Sequence, residues 1–211
     1  MKGLGTAISA TAIILLLSSL AGAQSANTIS LVPGWNLISL PMEQPADAAI
    51  SSVLSGITGL YDIVWAYPGQ AWNFYDPINT SGNSLTTMQA GLGYWINITA
   101  ETPQTLSVSG VAPSSSLPLL NGWNLVGYNG ISCAAASKAL SSLGSAVEVS
   151  WGYPNQSWKV YDPNDPAGST LTQLCPNNGY WIKVNQKEAW KVSSLQTTWD
   201  SSTWDNCLWE P

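Results

Sequence analysis

Val64-Trp65-Ala66-Tyr67-Pro68-Gly69-Gln70-Ala71-Trp72-Asn73-Phe74-Tyr75-Asp76-Pro77 returns 86 positions later as Ser150-Trp151-Gly152-Tyr153-Pro154-Asn155-Gln156-Ser157-Trp158-Lys159-Val160-Tyr161-Asp162-Pro163. A match of this length at a fixed offset marks an internal repeat. The same offset carries Leu85-Thr86 onto Leu171-Thr172 and Gly93-Tyr94-Trp95-Ile96 onto Gly179-Tyr180-Trp181-Ile182. An offset of 88 carries Gly34-Trp35-Asn36-Leu37 onto Gly122-Trp123-Asn124-Leu125, so the first copy holds two extra residues between these blocks. The organisation that follows is two tandem homologous modules over 27–110 and 117–192, joined by a linker at 111–116. A tail over 193–211 has no counterpart in the first copy.

Within a copy the pattern is that of a mainly β (α+β) module. Residues 29–40 alternate around Pro33-Gly34, which predicts two short strands joined by a turn. Pro45-Ala46-Asp47 then opens a stretch with Ala49, Ile50, Val53, Leu54 and Ile57 on one face and Gly59 beyond its end, which predicts a short amphipathic helix. In the second copy Ser132 is the expected N-cap, Ala136, Ala139, Leu140 and Leu143 form the face, and Gly144 is the stop. The runs 63–67 and 71–75, separated by Pro68-Gly69-Gln70, carry a hairpin signature, and 99–109 is strand-like. Gly127-Tyr128-Asn129 stands where the first copy has Ser39-Leu40-Pro41, so the copies diverge at the second strand of copy two and the approach to its helix.

The motifs Gly34-Trp35-Asn36-Leu37-Ile38-Ser39-Leu40-Pro41, a later Trp-x-Tyr with Tyr-Asp-Pro, and a closing Gly-Tyr-Trp-Ile resemble a repeat of secreted and surface-layer-associated proteins of bacteria and archaea. The resemblance covers nearly all of residues 28–192. It implies an extracellular or cell-surface setting and brings no catalytic residues with it.

Composition narrows the chemistry. The 211 residues include 6 Lys, no Arg, no His, 12 acidic residues and 12 Trp, with 9% charged residues and a net charge of −6. Without histidine there is no Ser-His-Asp or Cys-His site and no imidazole ligand for a metal. Few cations and a negative balance leave no footprint for a nucleic-acid backbone, so DNA and RNA are not expected partners. Residues 1–23 pair Lys2 with an apolar run from Ala7 to Leu20 and end in Ala21-Gly22-Ala23, a small-x-small cleavage site, so a signal peptide and a mature chain without a membrane span are expected. The alternative is a type IV pilin-like leader, since Lys2-Gly3 directly precedes the apolar stretch. Against it, residues 4–8 contain no Glu, and Pro33-Gly34 would end a continuing helix.

Trp35, Trp123, Trp95 and Trp181 lie in alternating apolar runs and are expected in the core. The hairpins crowd further rings together: Trp65, Tyr67, Trp72 and Tyr75 with Gln70, and Trp151, Tyr153, Trp158 and Tyr161 with Gln156. Two readings stay open for them, a cross-strand packing cluster or an exposed platform for a glycan, whose sugar faces and hydroxyls suit flat rings beside amides. Asp76-Pro77 and Asp162-Pro163 read as turn formers. A paired-carboxylate glycosidase would need a second acid near each. Asp62 and Glu148 are the nearest available, and no enzyme, cofactor or metal is expected.

Of the three cysteines, Cys133 and Cys175 belong to the second copy and are candidates to staple it, while Cys207 lies in the tail. Pairing of Cys207 with either of the others is the alternative. Asn79, Asn97 and Asn155 open N-x-Ser/Thr sequons, with Asn97 the least accessible as it follows a strand. Trp199, Trp204 and Trp209 crowd the tail, which with Cys207 is expected to drive self-association into an oligomer or filament. The functional expectation is therefore a non-enzymatic extracellular structural protein, a subunit of a surface assembly. The alternatives are a carbohydrate-binding or adhesive module contacting polysaccharide or the cell envelope, and a pilin-like filament subunit.

Overall fold

A computed structural model describes residues 25–44 and 47–192, and the fold is mainly β. The first module contains β1 (Ser25–Leu31), β2 (Gly34–Ser39), the one-turn helix α1 (Ile50–Val53), β3 (Tyr61–Ala66), β4 (Asn73–Tyr75), β5 (Gly93–Ile98) and β6 (Gln104–Gly110). The second contains β7 (Ser116–Leu119), β8 (Gly122–Gly127), β9 (Ala134–Ala135), the one-turn helix α2 (Ala136–Ala139), β10 (Val147–Gly152), β11 (Lys159–Tyr161), β12 (Gln173–Leu174), β13 (Gly179–Val184) and β14 (Glu188–Lys191). Among the described residues no helix is long and apolar enough to cross a membrane.

Each module is a small layered sandwich built on a four-stranded antiparallel sheet. The sheets have the orders β2-β5-β3-β4 and β8-β13-β10-β11. A two-stranded ladder, β1 with β6 or β7 with β14, covers one face of each sheet. β1 and β2 are the two strands expected around Pro33-Gly34, but they pair with different partners, β6 and β5, so the turn is a corner between layers and not a hairpin. In the first core Ile29, Leu31, Leu106 and Val108 of the ladder meet Val64, Tyr94, Ile96 and Ile98 of the sheet, and Ile50, Val53, Leu54 and Ile57 join them. In the second, Leu117, Leu119 and Trp190 take the ladder's part. Burying such side chains contributes about 1.5–3 kcal/mol apiece.

The helices are shorter than the spacing predicts. After Ile50–Val53 the chain tightens into a 3-10 turn, Ser55–Ile57, and after Ala136–Ala139 into Ser141–Ala146. Serines and glycines in these stretches, Gly56 and Gly59 in one and Gly144 in the other, favour turns over continued helix. The i, i+3 step of a 3-10 turn still puts Leu54 and Ile57 on the buried side. Ser132 is not an N-cap: the capping position is Ala135 and makes no side-chain bond. Gly144 lies within the 3-10 stretch, where its non-helical backbone kinks the chain.

The second strand of copy two survives its altered sequence, since β8 spans Gly122–Gly127 and pairs with β13 along its whole length. Gly127 is required by what it faces. A Cβ there would lie 2.4 Å from that of Ser39 of the other module. This is where the modules join. Ser39 N–H donates to Asn177 O at 3.0 Å, and at the equivalent place Gly127 N–H donates to Gly91 O at 3.0 Å. The two sheets are thus linked by reciprocal bonds from the ends of β2 and β8, about a local two-fold axis.

Candidate functional site: an aromatic trough between the modules

Strand register decides which rings share a surface. Leu37 pairs with Trp95, Trp95 with Trp65 and Trp65 with Phe74, so these four form one row across the first sheet. Leu125, Trp181, Trp151 and Val160 form the matching row across the second. Successive residues of a strand point to opposite faces, so this row lies away from the core containing Val64, Ile96 and Tyr94. The sheets turn these outer faces toward one another, and rings from each module interleave. Trp95 meets Tyr153 at 5.1 Å and Trp158 at 5.6 Å, while Trp181 meets Tyr67 at 5.3 Å and Trp72 at 5.7 Å, centroid to centroid. Trp35 and Trp123 stand edge-on to Trp95 and Trp181, each pair at 6.2 Å.

The result is an open trough of two lobes. One, of 590 Å³, is lined by Tyr67, Trp72, Trp123, Trp151, Trp158 and Trp181. The other, of 570 Å³, is lined by Trp35, Trp65, Trp72, Trp95, Tyr153 and Trp158. Trp72 and Trp158 belong to both lobes and are 50% and 49% exposed.

Two of the sequence expectations change here. Trp35 and Trp123 are 40% and 38% exposed and Trp95 and Trp181 are half-buried, so none of the four is a core residue. They belong to the trough with the hairpin rings. The alternation correctly groups residues by face, but here both faces of the strand are apolar. Tyr75 and Tyr161 point the other way, packing against the two cores, and take no part in the trough.

The glutamines have a separate task. Gln70 Nε2 donates to Asn121 O at 2.6 Å and more weakly to Trp123 O at 3.3 Å, holding the turn before β8. Gln156 Nε2 donates to Pro33 O at 2.7 Å and Trp35 O at 3.2 Å, holding the turn before β2. Each module therefore clamps the other's Gly-Trp-Asn-Leu turn. Asn36 and Asn124 brace those turns from within, each accepting a backbone N–H four residues back (Val32 or Leu120) and donating to two carbonyls.

The polar edges of the rings are unengaged. None of the eight trough indole N–H groups, and neither the Tyr67 nor the Tyr153 hydroxyl, has a hydrogen-bond partner among the described residues, whereas buried Trp190 donates its N–H to Ala139 O at 2.8 Å. Buried Trp and Tyr normally find a partner for their polar atom. Donors left free on an exposed surface are available to a ligand.

The acids are accounted for otherwise. Asp62 and Glu148 sit at β-bulges in β3 and β10, where they bind across to β5 and β13. Asn97 Nδ2 donates to Asp62 at 3.0 and 3.1 Å, and Lys183 Nζ pairs with Glu148 at 2.7 Å. Asp76 Oδ1 accepts the N–H groups of Ile78 and Asn79, and Asp162 Oδ1 that of Asn164, each at 2.8 Å, which is the turn-forming role expected of them. Among the described residues no three of Cys, Asp and Glu gather as a metal site would require.

Cys133 and Cys175 form a disulfide closing a 42-residue separation. Beside it, Cys175 N–H donates to the Tyr180 hydroxyl at 2.7 Å, which donates back to Cys175 O at 3.3 Å. Tyr94 makes the same pair with Gln89 in the first module. Burial pushes the Tyr180 phenol up to about 12 and that of Tyr94 higher still. Of the sequons, Asn79 and Asn155 are exposed, and Asn97 is partly buried against Asp62. Residues 1–23, where a signal peptide is expected, the tail with Trp199, Trp204 and Trp209, and Cys207 lie outside the described residues.

Comparison of the chain with protein families, with curated proteins and with solved structures gives no match.

Proposed function

We propose that this is a non-enzymatic protein of the cell exterior that binds neutral polysaccharide in the trough between its modules. One observation carries the reading: eight tryptophans and two tyrosines line an open trough, and their N–H and O–H groups have no partner among the described residues. Sugar rings have apolar faces that stack on such rings, and hydroxyl oxygens that accept from their edges. No lining residue of either lobe is charged, so the surface offers nothing to pair with a charged ligand. An exposed apolar surface of this extent is the mark of an interaction site. The disulfide and the apolar run of residues 7–20 support a location in an oxidising compartment outside the cytoplasm.

The test is retention on insoluble and arrayed neutral polysaccharides by the wild type and by Trp72→Ala and Trp158→Ala, made singly. Each variant is expected to lose at least about 30-fold in affinity, as loss of a central aromatic anchor does, with an unchanged far-UV CD spectrum. Failure of the folded wild type to bind any neutral glycan, or a dimer in solution that Trp72→Ala dissociates, would assign the trough to another use.

A further inference from the structure

The two ends of the trough are not alike, and the difference lies in three residues. The repeat places Gly69, Gly91 and Leu92 of the first module at the positions of Asn155, Asn177 and Asn178 of the second. The backbone is shared: φ is 60° at Gly69 and 52° at Asn155, and 84° at Gly91 and 70° at Asn177. These are left-handed conformations that glycine adopts freely and that asparagine tolerates better than most residues. In the second module, then, side-chain amides stand on a backbone that glycine alone would satisfy.

The space around them differs as well. At Gly91 a Cβ would lie 2.4 Å from Leu117 Cδ2, so β7 fills the place a side chain would need. At the other end Asn177 reaches across to Thr28 of β1, and a cleft of 320 Å³ is lined by Thr28, Ser30, Asn36 and the three asparagines. Trp35 and Tyr153 line both this cleft and one aromatic lobe, so the two are continuous.

The amides retain unused capacity. Asn155 makes no side-chain hydrogen bond among the described residues, and Asn177 donates to Thr28 O at 3.1 Å while its buried Oδ1 has no donor. Asn178 uses its Nδ2, toward Pro176 O at 3.3 Å and the Tyr180 phenol, and keeps its Oδ1 free, as the Gln156 clamp uses only Nε2. The surplus is chiefly of acceptors. The aromatic lobes offer mainly donors, eight indole N–H groups against two tyrosine hydroxyls, so the ligand that uses both must carry groups that donate as well as accept, as hydroxyls do.

We infer that the amide cleft beside Trp35 and Tyr153 is a polar subsite for one sugar unit at the end of the trough, and that it gives the bound chain a fixed direction. This rests on the trough being a glycan site. The rings hold sugar faces without regard to chain polarity, because the two lobes are related by the local two-fold. Asn155, Asn177 and Asn178 break that symmetry.

The experiment uses full-length mature protein and neutral hexasaccharides of β-1,4-glucan, β-1,4-mannan and β-1,4-linked N-acetylglucosamine, followed by tryptophan fluorescence. Each is tested untagged and with a bulky tag at the reducing or the non-reducing end. The wild type is expected to tolerate the tag at one end only. The variant Asn155→Gly/Asn177→Gly/Asn178→Ala is expected to bind the untagged chain on the order of tenfold more weakly, equivalent to one or two hydrogen bonds, and to treat both tagged forms alike. If the triple variant fails to fold, Asn155→Gly decides alone, since that side chain makes no bond to the described protein, with a loss of about threefold expected. Unchanged affinity in the folded variant, or equal tolerance of both tags by the wild type, overturns the subsite and leaves the trough intact. No binding of any hexasaccharide by the wild type overturns the glycan reading itself, and the subsite with it.

Discussion

Trp190 and Trp158 belong to the same module and are put to opposite uses. Trp190 is 0% exposed, pairs in register with Leu117, and gives its N–H to Ala139 O. Trp158 is 49% exposed and touches three rings, Trp95, Trp151 and Tyr153, with its N–H unengaged. A tryptophan recruited for stability buries its rim and satisfies its donor, while one recruited for recognition keeps both in reach of solvent. By that criterion the trough is a surface and not a second core, although it gathers most of the chain's tryptophan.

The strongest way to break this contrast is truncation of each residue. Trp190→Ala is expected to cost about 3–5 kcal/mol, as large-to-small changes in a packed core do, read as a drop in the denaturant midpoint. Equal destabilisation by Trp158→Ala would return the trough to the core. Next, Cys133→Ser or reduction of the disulfide should cost about 3–4 kcal/mol from the released 42-residue loop. It should also loosen the segment before β13 that carries Asn177, seen as faster amide exchange at Cys175, Asn177 and Asn178.

Alkaline pH probes the buried phenols specifically. Tyr180 is raised to about 12 and Tyr94 further, both above the ordinary value of about 10 for an unfolded chain. Their contribution is complete below pH 10 and is lost as pH rises through about 12, because the unfolded state gives up its protons first. Stability measured by CD should therefore fall less steeply across that range in the Tyr94→Phe/Tyr180→Phe variant, where Tyr61 and Tyr128, also raised by burial, are left to contribute. Trp158→Ala follows at about 1–2 kcal/mol from its ring contacts. Smallest is Gln70→Ala, which removes one good clamp bond and should cost about 1 kcal/mol. Its effect should appear as faster, more independent tumbling of the modules or raised proteolysis at the 111–116 linker, not as unfolding of either module.

These differences follow what the chain makes legible. The repeat and the hairpins around Pro68-Gly69-Gln70 and Pro154-Asn155-Gln156 could be read from local residues and spacing, whereas the pairing of Cys133 with Cys175 could not be told there from pairing with Cys207. The helices could be read in position but not in length, because Ile50, Val53, Leu54 and Ile57 satisfy helical and 3-10 spacing almost equally. The trough was half visible. Its hairpin rings stood out, but Trp35, Trp95, Trp123 and Trp181 did not, since a period of two sorts residues into faces without saying which face is covered. Nor does a repeat announce that its copies will clasp each other: Gln70 and Gln156 find their partners 51 and 123 residues away, in the other module.

The reciprocal glutamine clamps have a consequence for how such a molecule could arise. Contacts in which each of two like units offers the same side chain to the same turn of the other are those of an isologous dimer. Here both halves lie on one chain, with the linker taking the place of concentration. An ancestral self-pairing single module would have had to carry every residue twice, so that an asparagine introduced at one end of its groove would appear at the other as well. Fusion lifts that constraint. One half could acquire Asn155, Asn177, Asn178 and a disulfide while the other kept Gly69, Gly91 and no cysteine, turning a groove with two equal ends into one whose ends differ.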